Sequence, residues 1–84
     1  MRLKILFFAT FRDAVGARER TMAVGGSVTV ESLLARLYEA HPQLRKYDDT
    51  LLVAVNQEFV DRGAKLSDGD EVALMPPVSG GRYP

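Results

Sequence analysis

Only one stretch of this chain carries an apolar stripe long enough to need a whole face of some other element to cover it. Val30, Leu33, Leu34, Leu37 and Tyr38 fall at i, i+3, i+4, i+7 and i+8, while Glu31, Arg36 and Glu39 lie off that line. Thr29 is placed to cap the helix, Glu31 sits where the helix dipole favours an acid, and His41-Pro42 ends it. A chain of 84 residues has no second long helix to pack on this one, and without a cysteine it has no disulfide framework. The cover has to be a sheet. Its strands must pack efficiently, because a core this small has little surplus burial.

The remaining apolar runs supply that sheet. Leu3 to Thr10 is rich in Ile, Leu and Phe and too short for a stable helix, so it reads as a strand. Phe11 to Ala14 makes one helical turn that Gly16 ends, and a more polar strand, Ala17 to Val24, follows. Gly25, Gly26 and Ser27 break the chain before the helix. Beyond it, a polar stretch from Gln43 to Thr50 leads to a strand at Leu51 to Asn56. A short turn then brings in Phe59 and Val60, and Ser67-Asp68-Gly69 turns the chain into a last strand, Glu71 to Met75. Strand, strand, helix, strands is the order of an α+β fold, with one main helix across one face of the sheet. Residues 1–78 read as a single domain and residues 79–84 as a tail.

Parity divides the strands. Successive residues point to opposite faces, so Phe7 and Phe8 cannot both lie beneath the helix. Lys4 shares parity with Leu6 and Phe8, which marks theirs as the open side and gives Leu3, Ile5 and Phe7 to the core. In the last strand Val72 and Leu74 form the core pair, and Glu71, Ala73 and Met75 face outward. If these strands are neighbours, Phe8 and Met75 join into an exposed apolar patch, the mark of a protein partner.

Most catalytic constellations are missing. His41 is the only histidine, which excludes a histidine-rich metal site, and as a helix-end imidazole it interacts with the helix C-terminus. Asp48-Asp49 and the Asp68, Asp70 pair lack calcium-loop spacing and read as turn-forming or solvated acids. Gly25-Gly26 lacks the companions of a phosphate loop, and Ser79 has no base in its sequence context. Eleven Lys plus Arg balance eleven Asp plus Glu, and Arg12, Arg18, Arg20, Arg36, Arg45, Arg62 and Arg82 are dispersed as on a solvated surface. Neither nucleic acid nor a membrane is an expected partner. Ile5 to Ala9 is far too short to span a bilayer, and no signal cleavage site follows it, so a cytoplasmic location is expected.

What remains unexplained is the end, Pro76-Pro77-Val78-Ser79-Gly80-Gly81-Arg82-Tyr83-Pro84. Two prolines extend the chain stiffly from the last strand, and two glycines then strip it of side chains, a form suited to a narrow tunnel. Leu6-Phe7-Phe8-Ala9 followed by Arg12 and Gly16, the Thr29-Val30 helix start and Val55-Asn56-Gln57 precede it. With Asp68-Gly69-Asp70-Glu71-Val72-Ala73 and Pro76-Pro77-Val78-Ser79-Gly80-Gly81, they resemble the small, sulfur-carrier subunits of molybdopterin synthase from Leu3 to Gly81.

That resemblance implies a β-grasp, ubiquitin-like fold. It implies a carrier without a complete active site, whose Gly81 carboxylate is adenylated by an ATP-dependent E1-like enzyme and converted to a thiocarboxylate, Gly80 giving the tail its slender form. The implied partners are the large synthase subunit, which forms the dithiolene of molybdopterin, the adenylating enzyme and a sulfur donor protein. The chain itself is expected to bind no cofactor, and the ATP is used by the activating partner. By position Phe8, Phe59 and Met75 correspond to the patch that docks the large subunit, with Pro76, Pro77, Val78 and Ser79 leading into it. Arg82-Tyr83-Pro84 depart from the family pattern, since Gly81 there is an amide that cannot be adenylated. A processing protease that trims after Gly81 restores the carrier, while a paralogue that no longer carries sulfur would keep the extension. Carriers for thiamine or tRNA thiolation share the tail chemistry, and a ubiquitin-like modifier would join Gly81 to target lysines.

Overall fold

The computed structural model describes residues 1–77, so Val78, Ser79, Gly80 and Gly81, with Arg82-Tyr83-Pro84, lie outside the described residues. Seven strands and two α-helices follow in the order β1 (Arg2–Phe7), α1 (Thr10–Val15), β2 (Glu19–Ala23), β3 (Val28–Thr29), α2 (Val30–Ala40), β4 (Leu52–Val55), β5 (Glu58–Phe59), β6 (Lys65–Leu66) and β7 (Glu71–Met75). Five of the strands form one mixed sheet in the order β2-β1-β7-β4-β5, with β1 and β7 parallel at its centre and the other pairs antiparallel. Helix α2 closes one face of it in a β-grasp arrangement.

The helix forms where its stripe and caps place it. Thr29 accepts from the Ser32 N–H, and the Ser32 hydroxyl accepts from the Thr29 N–H, a reciprocal cap. The loop carbonyls of Ala64 and Arg62 take the N–H groups of Val30 and Glu31. All five stripe residues are buried, against Leu3, Ile5, Phe7, Val53, Val72 and Leu74 from the sheet. The parity reading of β1 and β7 therefore holds for every core position it assigned. His41 is the C-cap through its backbone, donating its N–H to the Leu37 carbonyl.

Turns then set the register. The Gly69 N–H donates to the Arg2 carbonyl, the Arg2 N–H to Asp68 Oδ1 at 2.6 Å, and the Lys4 N–H to the Asp70 carbonyl, so the Asp68-Gly69-Asp70 turn holds β7 in line with β1. Gly69 has φ 85, a backbone only glycine adopts without strain. Asn56 and Gln57, both at positive φ, close the β4–β5 hairpin as a two-residue turn of the primed type. The Asn56 side chain donates to Asp70 Oδ1 and accepts from the Glu71 N–H, tying this turn to the start of β7.

Several expectations need correction. The first strand stops at Phe7, because Ala9 (φ 50, ψ −120) reverses the chain in a tight turn closed by the Phe11 N–H on the Phe8 carbonyl. That backbone suits glycine at its first central position, so an alanine there stores strain beside Phe8. The stretch read as polar from Gln43 to Thr50 instead contains a 3-10 helix, Pro42–Tyr47, because Leu44 enters the core and the Phe11 ring meets Tyr47 edge-on. Strands β3 and β6 form a separate two-stranded ladder that the sequence reading did not include. Ser67-Asp68-Gly69 accordingly carries the chain from one sheet to the other.

Asp48 and Arg62 are not simply solvated charges. Tyr38 Oη donates to Asp48 Oδ1 at 2.6 Å and Arg62 Nη1 donates to the same oxygen at 2.6 Å, while Arg62 Nη2 reaches the Asp48 carbonyl. Burial and the neighbouring carboxylate push the Tyr38 hydroxyl well above the usual phenol range. The Tyr38 and Arg62 hydrogen bonds hold Asp48 below the usual carboxylate range, and the carboxylate in turn raises Arg62. A depressed native value makes this contribution complete above the unfolded carboxyl value of about 4 and removes it as the pH falls through the native one. Tyr38→Phe is expected to cost about 1 kcal/mol at pH 7, a low figure for a charged acceptor because Asp48 remains partly open to water. The gap from the parent protein narrows below pH ~4, as chemical denaturation across that range will show.

Candidate functional site

On the face of the sheet opposite α2, the register sets side chains in rows. Glu19, Leu6, Ala73, Ala54 and Phe59 form one row from β2 to β5, and Met75 lies opposite Leu52 in the next. Phe8 follows β1 directly and is held by its N–H to the Leu74 carbonyl at 3.1 Å. In the row on the other side, Lys4 lies opposite Glu71.

Ala73 and Ala54 end in methyl groups, so larger neighbours stand above them. Leu6, Phe8, Phe59 and Met75, with Gln57 and Glu71, enclose an open trough of about 350 Å3 over the two alanines. Phe8 is 45% and Phe59 50% exposed, and they are the exposed large apolar side chains among the described residues. Met75 is half-buried. Phe8 and Met75, which parity assigned to the open side, line the same trough, and so does Phe59, which came from the resemblance alone. Apolar side chains gathered at this density on a small domain are a surface prepared for a partner.

The polar rim was not foreseen as part of this surface. Gln57 arrives by the primed turn, and Glu71 is held to Asn56 through its backbone. A signal existed in the two-residue spacing from Val55 to Glu58, which sets Phe59 opposite Ala54 and fixes where Gln57 falls. Lys4 Nζ lies 3.9 Å from Glu19 Oε2 and 4.0 Å from Glu71 Oε2, a loose bridge across three strands. The groups with displaced pKa values, Tyr38, Asp48 and Arg62, belong to the helix side of the molecule.

Chemically, this face can bind but has no nucleophile and base in contact. Among the described residues, no group of three or more His, Asp or Glu side chains is placed to hold a metal ion, and no helix is long and apolar enough to cross a membrane. Strand β7 runs through the trough and ends at Met75, after which Pro76 is half-buried and Pro77 exposed. The positions proposed for the chemistry itself, Gly80 and Gly81, and the lead-in Val78 and Ser79, lie beyond the described residues.

The chain resembles known proteins along nearly its whole length. A molybdopterin synthase sulfur carrier subunit of Chlamydomonas reinhardtii is 45% identical over 84 residues, covering 96% of this chain and 100% of the relative. One of Escherichia coli (strain K12) is 42% identical over 81 residues, covering 94% of this chain and 99% of the relative. Among solved structures, the small archaeal modifier protein 1 of Haloferax volcanii superposes with a TM-score of 0.81 at 33% identity, over 92% of this chain and 98% of that one. The ThiS family model matches residues 5–81, a span that begins within β1 and takes in the other strands of the main sheet and the Gly80-Gly81 pair. On that match, with full-length relatives above 40% identity, the chain belongs to the ThiS family.

Proposed function

We propose that this protein is the sulfur carrier subunit of molybdopterin synthase, bearing sulfur as a thiocarboxylate on Gly81. The observation that carries the reading is the course of β7. It passes through the apolar trough and ends at Met75, and Pro76-Pro77-Val78-Ser79-Gly80-Gly81 follow it directly in sequence, so the segment that ends in the reactive glycine continues in sequence from the strand that crosses the docking face. The names and full-length similarity of the curated relatives support it.

In the reaction proposed, the Gly81 carboxylate attacks the α-phosphorus of ATP on an adenylating enzyme, and pyrophosphate leaves. The terminal sulfur of a donor persulfide then attacks the acyl carbon and displaces AMP, and a thiol attacks the donor-side sulfur of the resulting acyl disulfide, which forms a disulfide on the donor and releases the thiocarboxylate. The large subunit seats the loaded tail and consumes its sulfur, so orientation comes from docking and the acids and bases from the partner. On this reading the carrier binds no cofactor of its own and works in the cytoplasm. Because Gly81 precedes Arg82-Tyr83-Pro84, cleavage after Gly81 comes first.

The test uses a chain ended at Gly81, incubated with adenylating enzyme, ATP and a sulfur donor. Mass spectrometry is expected to show one oxygen replaced by sulfur, and deletion of Gly81 to abolish that species without unfolding the domain. A Gly81-terminated chain that stays unmodified under these conditions refutes the carrier role. The likeness to a small archaeal modifier protein favours a second reading, in which the activated glycine is passed to lysines. Isopeptide-linked proteins captured with the carrier, without restored cofactor synthesis, would identify that outcome.

A further inference from the structure

Strand β2 is one border of the main sheet, with β1 on one side of it and, among the described residues, no strand on the other. The Phe7 N–H donates to the Arg18 carbonyl at one end of this pair, and the Val24 N–H to the Met1 carbonyl at the other. The even-numbered residues between them therefore turn their backbone groups toward β1, and Glu19, Thr21 and Ala23 turn theirs outward. Four of the five residues of β2 are exposed, Met22 being half-buried. The strand has neither proline nor glycine, so charge alone guards a row of donors and acceptors that another strand can pair with.

That charge is positive. Arg20 stands opposite Ile5 and Met22 opposite Leu3, on the face that α2 covers, and Arg18 precedes them with the same parity. Among the described residues neither Arg18 nor Arg20 has a carboxylate partner, and Arg12 lines the same hollow as Arg18. The acid in β2 itself, Glu19, belongs to the other face and lies 3.9 Å from Lys4. The α2 acids Glu31 and Glu39 line a hollow with Arg62, and Asp13 one with Lys46, so they are matched elsewhere. In a chain whose formal net charge is zero, this border is basic.

We propose that β2 is a second docking site, where an extended acidic segment of a partner protein adds as a further strand of the sheet. Its main chain pairs with Glu19, Thr21 and Ala23, and acids two residues apart meet Arg18 and Arg20. A second copy of this chain fits worse. Paired antiparallel about Thr21, it sets Arg20 against Met22 of the other copy, leaves the guanidiniums without acids and brings two basic borders together. A phosphate chain meets the arginines but offers no donors to the outward carbonyls. No residue of β2 lines the trough, so a strand added here leaves the trough open while one enzyme replaces another over it.

The test titrates the full, isotope-labelled chain with a capped hexapeptide of alternating glutamate and valine, and with its lysine counterpart, at low and high salt. The glutamate peptide is expected to bind with a Kd of about 1 mM or tighter, more weakly in high salt, and to slow hydrogen exchange at the Glu19, Thr21 and Ala23 amides. Arg20→Glu is expected to weaken it about tenfold and to turn the preference toward the lysine peptide. Thr21→Pro removes an outward donor and no bond to β1, so it is expected to abolish the protection with the melt little changed. Three results overturn the proposal: no binding of the glutamate peptide by the parent, binding that Arg20→Glu leaves unaltered, or shifts at Phe59 and Met75 instead of β2. Self-association of the parent with protection of the same amides gives the border to a second copy and overturns it too. None of these results bears on the carrier reading, which the Gly81 thiocarboxylate test decides separately.

Discussion

Phe8→Asp is expected to weaken the complex with the large synthase subunit by roughly 100-fold or more while the domain stays folded, as calorimetric titration and a thermal melt of the same sample will show. Phe8 stands at the rim of the trough with nearly half its surface in water, so an aspartate there stays hydrated in the free protein. In the complex that same carboxylate would be buried against Phe59 and Met75 in a trough that Arg12 and Arg18, which line the neighbouring hollow with Phe8, do not enter, and most of the desolvation cost falls on binding. Loss of folding in this variant would mean that Phe8 is a core residue and that the open face is assigned wrongly.

Leu34→Ala should do the reverse. Leu34 is 1% exposed in the middle of the helix stripe, and its truncation leaves a cavity between α2 and the sheet. The expected cost is about 2 to 5 kcal/mol, a large share of what a domain of this size has in total. A fall in melting temperature of at least ~10 °C follows, with partner affinity retained at temperatures where the variant is folded. An unchanged melt would contradict the packing of the stripe. Together the two variants separate the open face of the sheet from the face that α2 covers, since a single-residue shift in the parity of β1 would turn Phe8 toward α2 and make its substitution unfold the domain.

Features written in local periodicity were legible without coordinates. The stripe of α2, its Thr29 cap and its stop at His41-Pro42 depend on residues within a few positions of each other, as does the alternation that sends Phe7 inward and Phe8 outward. What escaped depends on distant partners. Val28-Thr29 and Lys65-Leu66 are two residues each and become strands only by pairing with one another. Leu44 becomes a core residue because α1 and α2 leave a place for it, and Asp48 acquires its role from Tyr38 and Arg62, each at least ten positions away. Ala9 is the sharpest case, since its residue type argues against the backbone it adopts and only the surrounding hydrogen bonds of Phe8 and Phe11 impose it.

The site was legible in the same uneven way. Phe8 and Met75 followed from parity, but their meeting required β1 and β7 to be neighbours, which periodicity does not state. Phe59 required the family likeness. Glu71 was visible as an outward residue, and its place at the end of a trough was not, because that depends on the register of three strands at once.

The position of β7 between β1 and β4 also has a mechanical meaning. A tug on the chain beyond Met75 is delivered along the middle strand of the sheet, so the hydrogen bonds to both flanking strands are loaded together in shear. An edge strand under the same load would unzip one bond at a time. An enzyme that grips the far end and drags it through a passage therefore pulls against a keystone, and the domain can be hauled, seated and released without being unravelled.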